Sequence, residues 1–462
     1  MAWRSSGTLM TVLFDEIRSR AGRGGGVSVL VSGAASMVAR LAQTAATLLV
    51  FSWALPYLGV ERFGTWMTLA AAFGLLGTSD LGITNGVINL VAQYRATSRI
   101  SRAKVTINAA VVTMTALAVC LGIALLIWAP NIRWEALFAE GARDAVGADS
   151  DAMAPVARLL GIAFAFSLLT TLFTKIRLGC NEAYRNAPWD IAAAVVTIAL
   201  TFVAIRAGMG YLWVVAASVV PPIVAHTIGG FFLFGREHRE LAPCPPHMSP
   251  RALSRALKLG ALFFALQVGV LISYQIDSLV LAKLIGPGAV SEYSVVMRMF
   301  MLVPNWLGLV LVPLWPAYAS AKARGDWRWI RIAWLASTGV CAIATLLASA
   351  ALLLWHGPIL RLWIGDAVRP DRLLILAFAT WATINGVHGP VAMVLNGLSI
   401  IRFQVFLGLG SAVVNLVLSI LLTRRLGVSG VVWGSIAQSV IILVPSYIVI
   451  IRVLHRSRSG VD

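Results

Sequence analysis

Tyr57-Leu58-Gly59-Val60-Glu61-Arg62-Phe63-Gly64-Thr65-Trp66 joins two long apolar stretches, and 227 residues later Leu284-Ile285-Gly286-Pro287-Gly288-Ala289-Val290-Ser291-Glu292-Tyr293 does the same. In each, a Gly turn is followed by an acidic and an aromatic residue as the next apolar stretch opens. A repeat of this length in so apolar a chain implies two similar membrane-embedded halves.

Around these junctions the composition excludes a soluble fold. Of 462 residues, 59% are hydrophobic and 12% charged, and the mean hydropathy is +0.84. Soluble domains are nearer half apolar and a quarter charged. The reading is an all-α integral membrane protein of about twelve transmembrane helices in two six-helix lobes. The predicted helices span 28–57, 64–93, 105–130, 153–174, 189–206, 210–234, 257–284, 290–318, 329–355, 372–396, 402–423 and 428–452. Residues 1–27 form a cytoplasmic N-terminal segment, 28–234 the N-lobe, 235–256 a cytoplasmic linker, 257–453 the C-lobe and 454–462 a cytoplasmic tail. The linker stands out as the one long polar connection, charged at Arg236-Glu237-His238-Arg239-Glu240 and Pro-rich at Pro243, Pro245 and Pro246.

Lys and Arg total 37 against 19 Asp and Glu. The basic residues concentrate at the termini and in the even-numbered connections, which places those on the cytoplasmic side. The excess is therefore topogenic, contacts anionic headgroups, and is not the footprint of a nucleic-acid binder. Arg4, Arg18, Arg20 and Arg23 flank a short apolar run with no small-residue cleavage site, so an amphipathic surface helix is expected there. Cys120, Cys180, Cys244 and Cys341 fall in helices or on the cytoplasmic side, where disulfides are not expected.

Charges inside membrane helices must face protein or water. Arg40 lies on a stripe of Ser32, Ser36, Gln43/Thr44 and Thr47, three or four residues apart and so on one helical face. At the repeat offset, Arg40 corresponds to Gln267 and Thr47 to Tyr274, and Asp277 continues that face. Two matching polar faces could line a shared cavity or simply hold helices together. In a helical hairpin, residues equidistant from the turn lie at similar depth. Arg40 and Asp80 are symmetric about residue 60, and Asp277 and Arg298 about 287.5, so each hairpin is expected to carry an Arg–Asp pair. Such pairs either make burial tolerable or exchange partners with an anionic substrate, for which the planar Arg fork suits phosphate. Asn85, Asn89 and Gln93, then Asn385 and His388, then Gln404, Ser411, Asn415 and Ser419 form further polar faces.

No Walker A loop or metal-spaced Cys/His cluster occurs, and no cofactor is expected. The loop after the second helix, Tyr94-Arg95-Ala96-Thr97-Ser98-Arg99, lacks the Gly-x-x-x-Asp-Arg pattern of major facilitator transporters.

Three stretches carry a family resemblance: Asp277-Ser278-Leu279-Val280-Leu281-Ala282-Lys283-Leu284-Ile285-Gly286-Pro287 through Tyr293 to Arg298; Leu58-Gly59 through Phe63-Gly64-Thr65-Trp66 to Asp80-Leu81-Gly82-Ile83; and Leu426-Gly427-Val428 through Gly430 to Gly434. The chain resembles the polysaccharide transporter (Wzx-type) branch of the MOP flippase superfamily. The resemblance implies two six-helix bundles around a cationic cavity lined by helices one and seven. It implies a transporter, not an enzyme, moving a polyprenyl-pyrophosphate-linked oligosaccharide across the bacterial cytoplasmic membrane. Its partners would be that glycan, membrane lipids and other polysaccharide-assembly proteins. The residues assigned to the path are Arg40, Arg298, Asp80, Asp277, Gln267, Tyr274, Thr47 and Asn85. The first helix carries an arginine where the drug-exporting MATE branch has a carboxylate for Na⁺ or H⁺, and the two extra helices of the lipid II flippase branch are missing. A MATE-like antiporter and a membrane polymerase or ligase are the competing readings; the latter would need a larger external loop than this chain has.

Overall fold

The computed structural model describes residues 25–75, 82–128, 134–140, 150–180, 182–243, 250–311 and 314–456. Among them are fourteen α-helices: α1 Gly25–Leu58, α2 Val60–Leu75, α3 Ile83–Ala96, α4 Ile100–Trp128, α5 Ser150–Gly179, α6 Ala187–Arg206, α7 Tyr211–Phe232, α8 Pro250–Leu284, α9 Pro287–Leu311, α10 Leu314–Ala323, α11 Trp327–Ile364, α12 Arg372–Gly397, α13 Ile401–Leu426 and α14 Ser429–Arg456. Nine described helices are long and apolar enough to cross a membrane. The expected second, seventh and eighth crossings are filled by α2 with α3, by the 35-residue α8, and by α9 with α10.

The second and eighth crossings, expected as single helices at 64–93 and 290–318, are each covered by two described helices, with residues 76–81 and 312–313 between them outside the described residues. In the first lobe, α3 starts after Gly82, which takes φ +75°. That left-handed geometry suits a residue without a Cβ. Pro221, Pro222, Pro304 and Pro390 lie inside continuous helices, so those prolines do not end them.

The repeat is visible in the backbone. Gly59 and Gly286 both have positive φ, and α2 and α9 both start on the next residue, at Val60 and Pro287. The packing order repeats as well. In the N-lobe α1 packs on α6, α6 on α7, α7 on α5, and α5 on α4 and α3; in the C-lobe α8 packs on α13, α13 on α14, α14 on α12, and α12 on α11 and α10. Hydrocarbon gives apolar side chains no reason to leave it, so close backbone approach and polar contacts must hold such bundles together.

The lobes meet asymmetrically. Along one side α8 packs on α2, α3 and α4, and α9 packs on α2. A Cβ on Gly64 would collide with the Pro287 carbonyl, and one on Gly260 with the Gly82 carbonyl, so this side is sealed by backbone contact at both ends. Across the molecule α1 meets the C-lobe chiefly through α11. Between α1 and α9 lies a cavity instead.

Candidate functional site

The cavity between the lobes encloses about 660 Å³ including its open mouth. One wall is the α1 face Arg40, Gln43, Thr44 and Thr47; the other is the α9 face Arg298, Met301, Leu302 and Asn305. Each set is spaced three or four apart, so a single stripe of each helix supplies its wall. Both arginines reach accessible space. The described lining holds two guanidinium groups and no carboxylate, which makes it an anion-attracting cleft. The threonine hydroxyls are committed locally, Thr44 to the Arg40 carbonyl at 2.8 Å and Thr47 to the Gln43 carbonyl at 3.0 Å. They polarise the wall without being free donors.

Toward the junction of α1 and α2 the cavity ends in aromatics. The Arg298 guanidinium carbon lies 5.5 Å from the Phe51 ring centre. Phe51 stacks on Trp363 at 6.1 Å and meets Phe63 edge-on at 5.0 Å. Trp363 Nε1 donates to the Leu48 carbonyl at 2.8 Å, which pins α11 to α1. Beyond this plug, Ser291 Oγ donates to the Val60 carbonyl at 2.5 Å. The described arrangement is closed at the Gly59 and Gly286 junctions and hollow between α1 and α9.

Asp277 does not pair with Arg298. It is 2% exposed inside the C-lobe, where Ser435 Oγ donates to it at 2.8 Å, Ser419 Oγ at 3.2 Å and Tyr293 OH at 3.3 Å. Asn415 supports Ser435 through a 2.9 Å bond. Asp277 lines a separate cavity of about 980 Å³ with Asn385, His388 and Gln404. The reason for the mismatch is the hairpin centre. The turn runs between Leu284 and Pro287, so its midpoint is 285.5 and not 287.5. Asp277 is then 8.5 residues from the turn and Arg298 12.5, a depth difference of about 6 Å. Tyr293, symmetric with Asp277 about residue 285, takes the place expected of Arg298.

Of the other expected site residues, Thr47 shares the cavity with Arg40 and Arg298. Asn85 sits on α3, part-buried, away from that lining. Gln267 and Tyr274 fall on α8, and Asp80 lies outside the described residues, so the Arg40–Asp80 pair does too.

Sequence reasoning missed two features. One is the continuation of the Arg298 stripe to Asn305, legible from the same helical spacing. The other is Asp190, whose Oδ1 accepts from Gln43 Nε2 at 2.8 Å and lies 3.2 Å from His226 Nε2. Asp190 opens its helix and His226 nearly closes the next. The two are symmetric about Gly208, which has positive φ in the turn between α6 and α7.

The fold and the cationic interlobe cleft define a two-lobed multi-pass membrane protein. The chain is similar to an inward-facing multidrug resistance MATE transporter of the MOP superfamily, with TM-score 0.76 and 16% identity over 91% of this chain and 96% of that one. It is similar to an outward-facing form as well, with TM-score 0.68 and 14% identity over 93% and 95%. A Pyrococcus furiosus MOP transporter described as having a binding pocket of reversed polarity matches at TM-score 0.60 and 14% identity over 91% and 96%. Residues 30–322 match the polysaccharide biosynthesis protein family, and the chain belongs to that family. No curated protein matches it. The chain is thus a multi-pass membrane protein of that family, and it shares the fold of these transporters.

Proposed function

We propose that the chain carries a polyprenyl-pyrophosphate-linked oligosaccharide from the inner to the outer leaflet of the bacterial cytoplasmic membrane by alternating access, with both termini cytoplasmic. The observation that carries this reading is the pairing of Arg40 and Arg298 across one cavity with no described carboxylate in its lining. Pyrophosphate is a compact dianion or more, and two opposed guanidinium groups are suited to grip it with charge-assisted bonds. The cavity lies between α1 and α9, where the lobes are not sealed to each other, so a lipid tail can stay in the bilayer while the headgroup enters. Rocking of the lobes would break the outer contacts at Gly64, Pro287 and Ser291 and close the α1–α9 opening. The partners of this reading are the lipid-linked glycan, membrane lipids and polysaccharide-assembly proteins.

The test is reconstitution with a fluorescent polyprenyl-pyrophosphate-linked sugar. Wild-type protein moves it between leaflets; Arg40→Ala with Arg298→Ala, at equal abundance, does not. A second reading, a MATE-like exporter of small molecules, is favoured by the fold shared with multidrug transporters. Drug efflux from the same vesicles, insensitive to loss of both arginines, would favour it.

A further inference from the structure

The pair beneath the cationic cavity has no role in the reading above. Asp190 belongs to the first turn of α6 and His226 to the last two turns of α7, so both lie at the end of the N-lobe away from the Gly208 turn. They flank a cleft of about 560 Å³ lined also by Thr170, Thr171, Thr174 and Asn186. One carboxylate oxygen, Asp190 Oδ1, is shared by His226 Nε2 at 3.2 Å and Gln43 Nε2 at 2.8 Å. The opposite ring atom, His226 Nδ1, is buried and has no hydrogen-bond partner.

We propose that Asp190 and His226 form a proton-binding site whose charge state is passed through Gln43 to the Arg40 cavity. The balance is simple. With Nε2–H donating to Asp190, the free Nδ1 lone pair takes up one proton, and the pair goes from one net negative charge to none. Gln43 is the connection because its side chain is bound to Asp190 while it also forms the cavity wall one helical turn from Arg40. Neutralising the pair removes a negative charge from behind that wall and raises the potential at Arg40. An anion then binds more tightly, and binding draws in a proton. A unit charge about 10 Å away, at an effective dielectric near 20, changes affinity on the order of tenfold.

The groups facing the pair from the packed elements are uncharged: Gln43 of α1, the three threonines of α5, and Asn186 before α6. Among nearby charges, Arg177 is taken by Glu237, Asn186 and the Gly229 carbonyl, and Arg185 pairs with Glu182. Arg158 and Lys175 on α5 and Arg40 on α1 are the remaining cations on those two helices. Asp190 is therefore the carboxylate that sets the charge of the histidine.

The coupling half of this proposal rests on anion binding in the Arg40 cavity; the proton site does not. The chain has six histidines, so ring-labelled His can be followed by NMR in the full-length protein in nanodiscs, with His226→Gln assigning the signal. The proposal predicts that protonation of His226 is seen in wild type, is weakened by Asp190→Asn, and is favoured by inorganic pyrophosphate in wild type but not in Gln43→Leu. No transition, or one indifferent to Asp190→Asn, overturns the proton site. Pyrophosphate that binds without moving the transition overturns the coupling. If pyrophosphate does not bind at all, the anion reading of the cavity and with it the coupling fall, and the Asp190→Asn comparison decides the proton site alone. Gln43→Leu, which leaves the pair intact, retains the transition even if Asp190→Asn fails to fold.

Discussion

Ser291 Oγ donates to the Val60 carbonyl, and the residues equivalent to these two at the 227-residue repeat, Gly64 and Pro287, touch each other in turn. The contact is thus made twice around a local two-fold, once by a hydroxyl and once by a missing side chain. It seals the junction end of the lobe interface with backbone, which is cheap to part and re-form because little apolar surface changes hands.

Gly64→Val is predicted to wedge that seal, since even a Cβ collides with the Pro287 carbonyl. Overpacking costs about 1–3 kcal/mol, on the order of 5- to 100-fold in the population of the outer-closed state. The check is labelling of a Thr47→Cys reporter by a membrane-impermeant maleimide from outside, which speeds up in the Gly64→Val background.

The cavity arginines are predicted to act through geometry as well as charge. Arg40→Ala or Arg298→Ala each removes charge-assisted bonds worth about 1.5–3 kcal/mol, a loss of roughly 10- to 100-fold in pyrophosphate affinity. Arg→Lys at either position recovers part of it, because an ammonium is a point donor and not a fork. Calorimetry with inorganic pyrophosphate reads both.

Asp277 is predicted to matter for stability of the C-lobe before it matters for the interlobe cavity. Ser435→Ala removes its shortest hydrogen bond and leaves Asn415 Nδ2 without its acceptor. Leaving buried polar groups unmatched costs about 1–3 kcal/mol. Thermal unfolding in detergent should shift down by several degrees, while pyrophosphate affinity at Arg40 and Arg298 stays within about twofold.

Arg177 is predicted to be the strongest structural position at the end of the N-lobe where α5 ends and α6 begins. It is fully buried, holds Glu237 at 2.9 Å and reaches the Gly229 carbonyl at 2.5 Å, tying the segment after α7 to α5. Arg177→Ala leaves Glu237 only the more distant Arg185, at 3.9 Å, and breaking such a buried contact costs about 3–5 kcal/mol. The measurement is the monodisperse yield on extraction, which should collapse, whereas Arg185→Ala on the exposed rim leaves it near wild type.

Much of this was legible in the sequence for a physical reason: hydrocarbon forces helices, and a repeat forces two lobes. The polar stripe through Arg40 and Thr47 pointed to the cavity wall because helical spacing fixes azimuth. The hairpin rule fixes only depth, and only when the turn is placed correctly. It put Arg298 beside Asp277 by centring the turn two residues late. Applied at Gly208, where the turn is tight, the same rule finds Asp190 and His226. The sealing of one side by Gly82 and Gly260 was not legible, since which glycine meets which depends on how the two lobes dock.

In the proposed function Arg40 and Arg298 together hold the anionic headgroup during transport. Leaflet-to-leaflet movement of a polyprenyl-pyrophosphate-linked sugar in proteoliposomes tests this, comparing wild type with the Arg40→Ala/Arg298→Ala protein. Movement is expected from wild type and none above protein-free vesicles from the double variant. Equal rates from both would rule out a role for the two arginines in holding the headgroup.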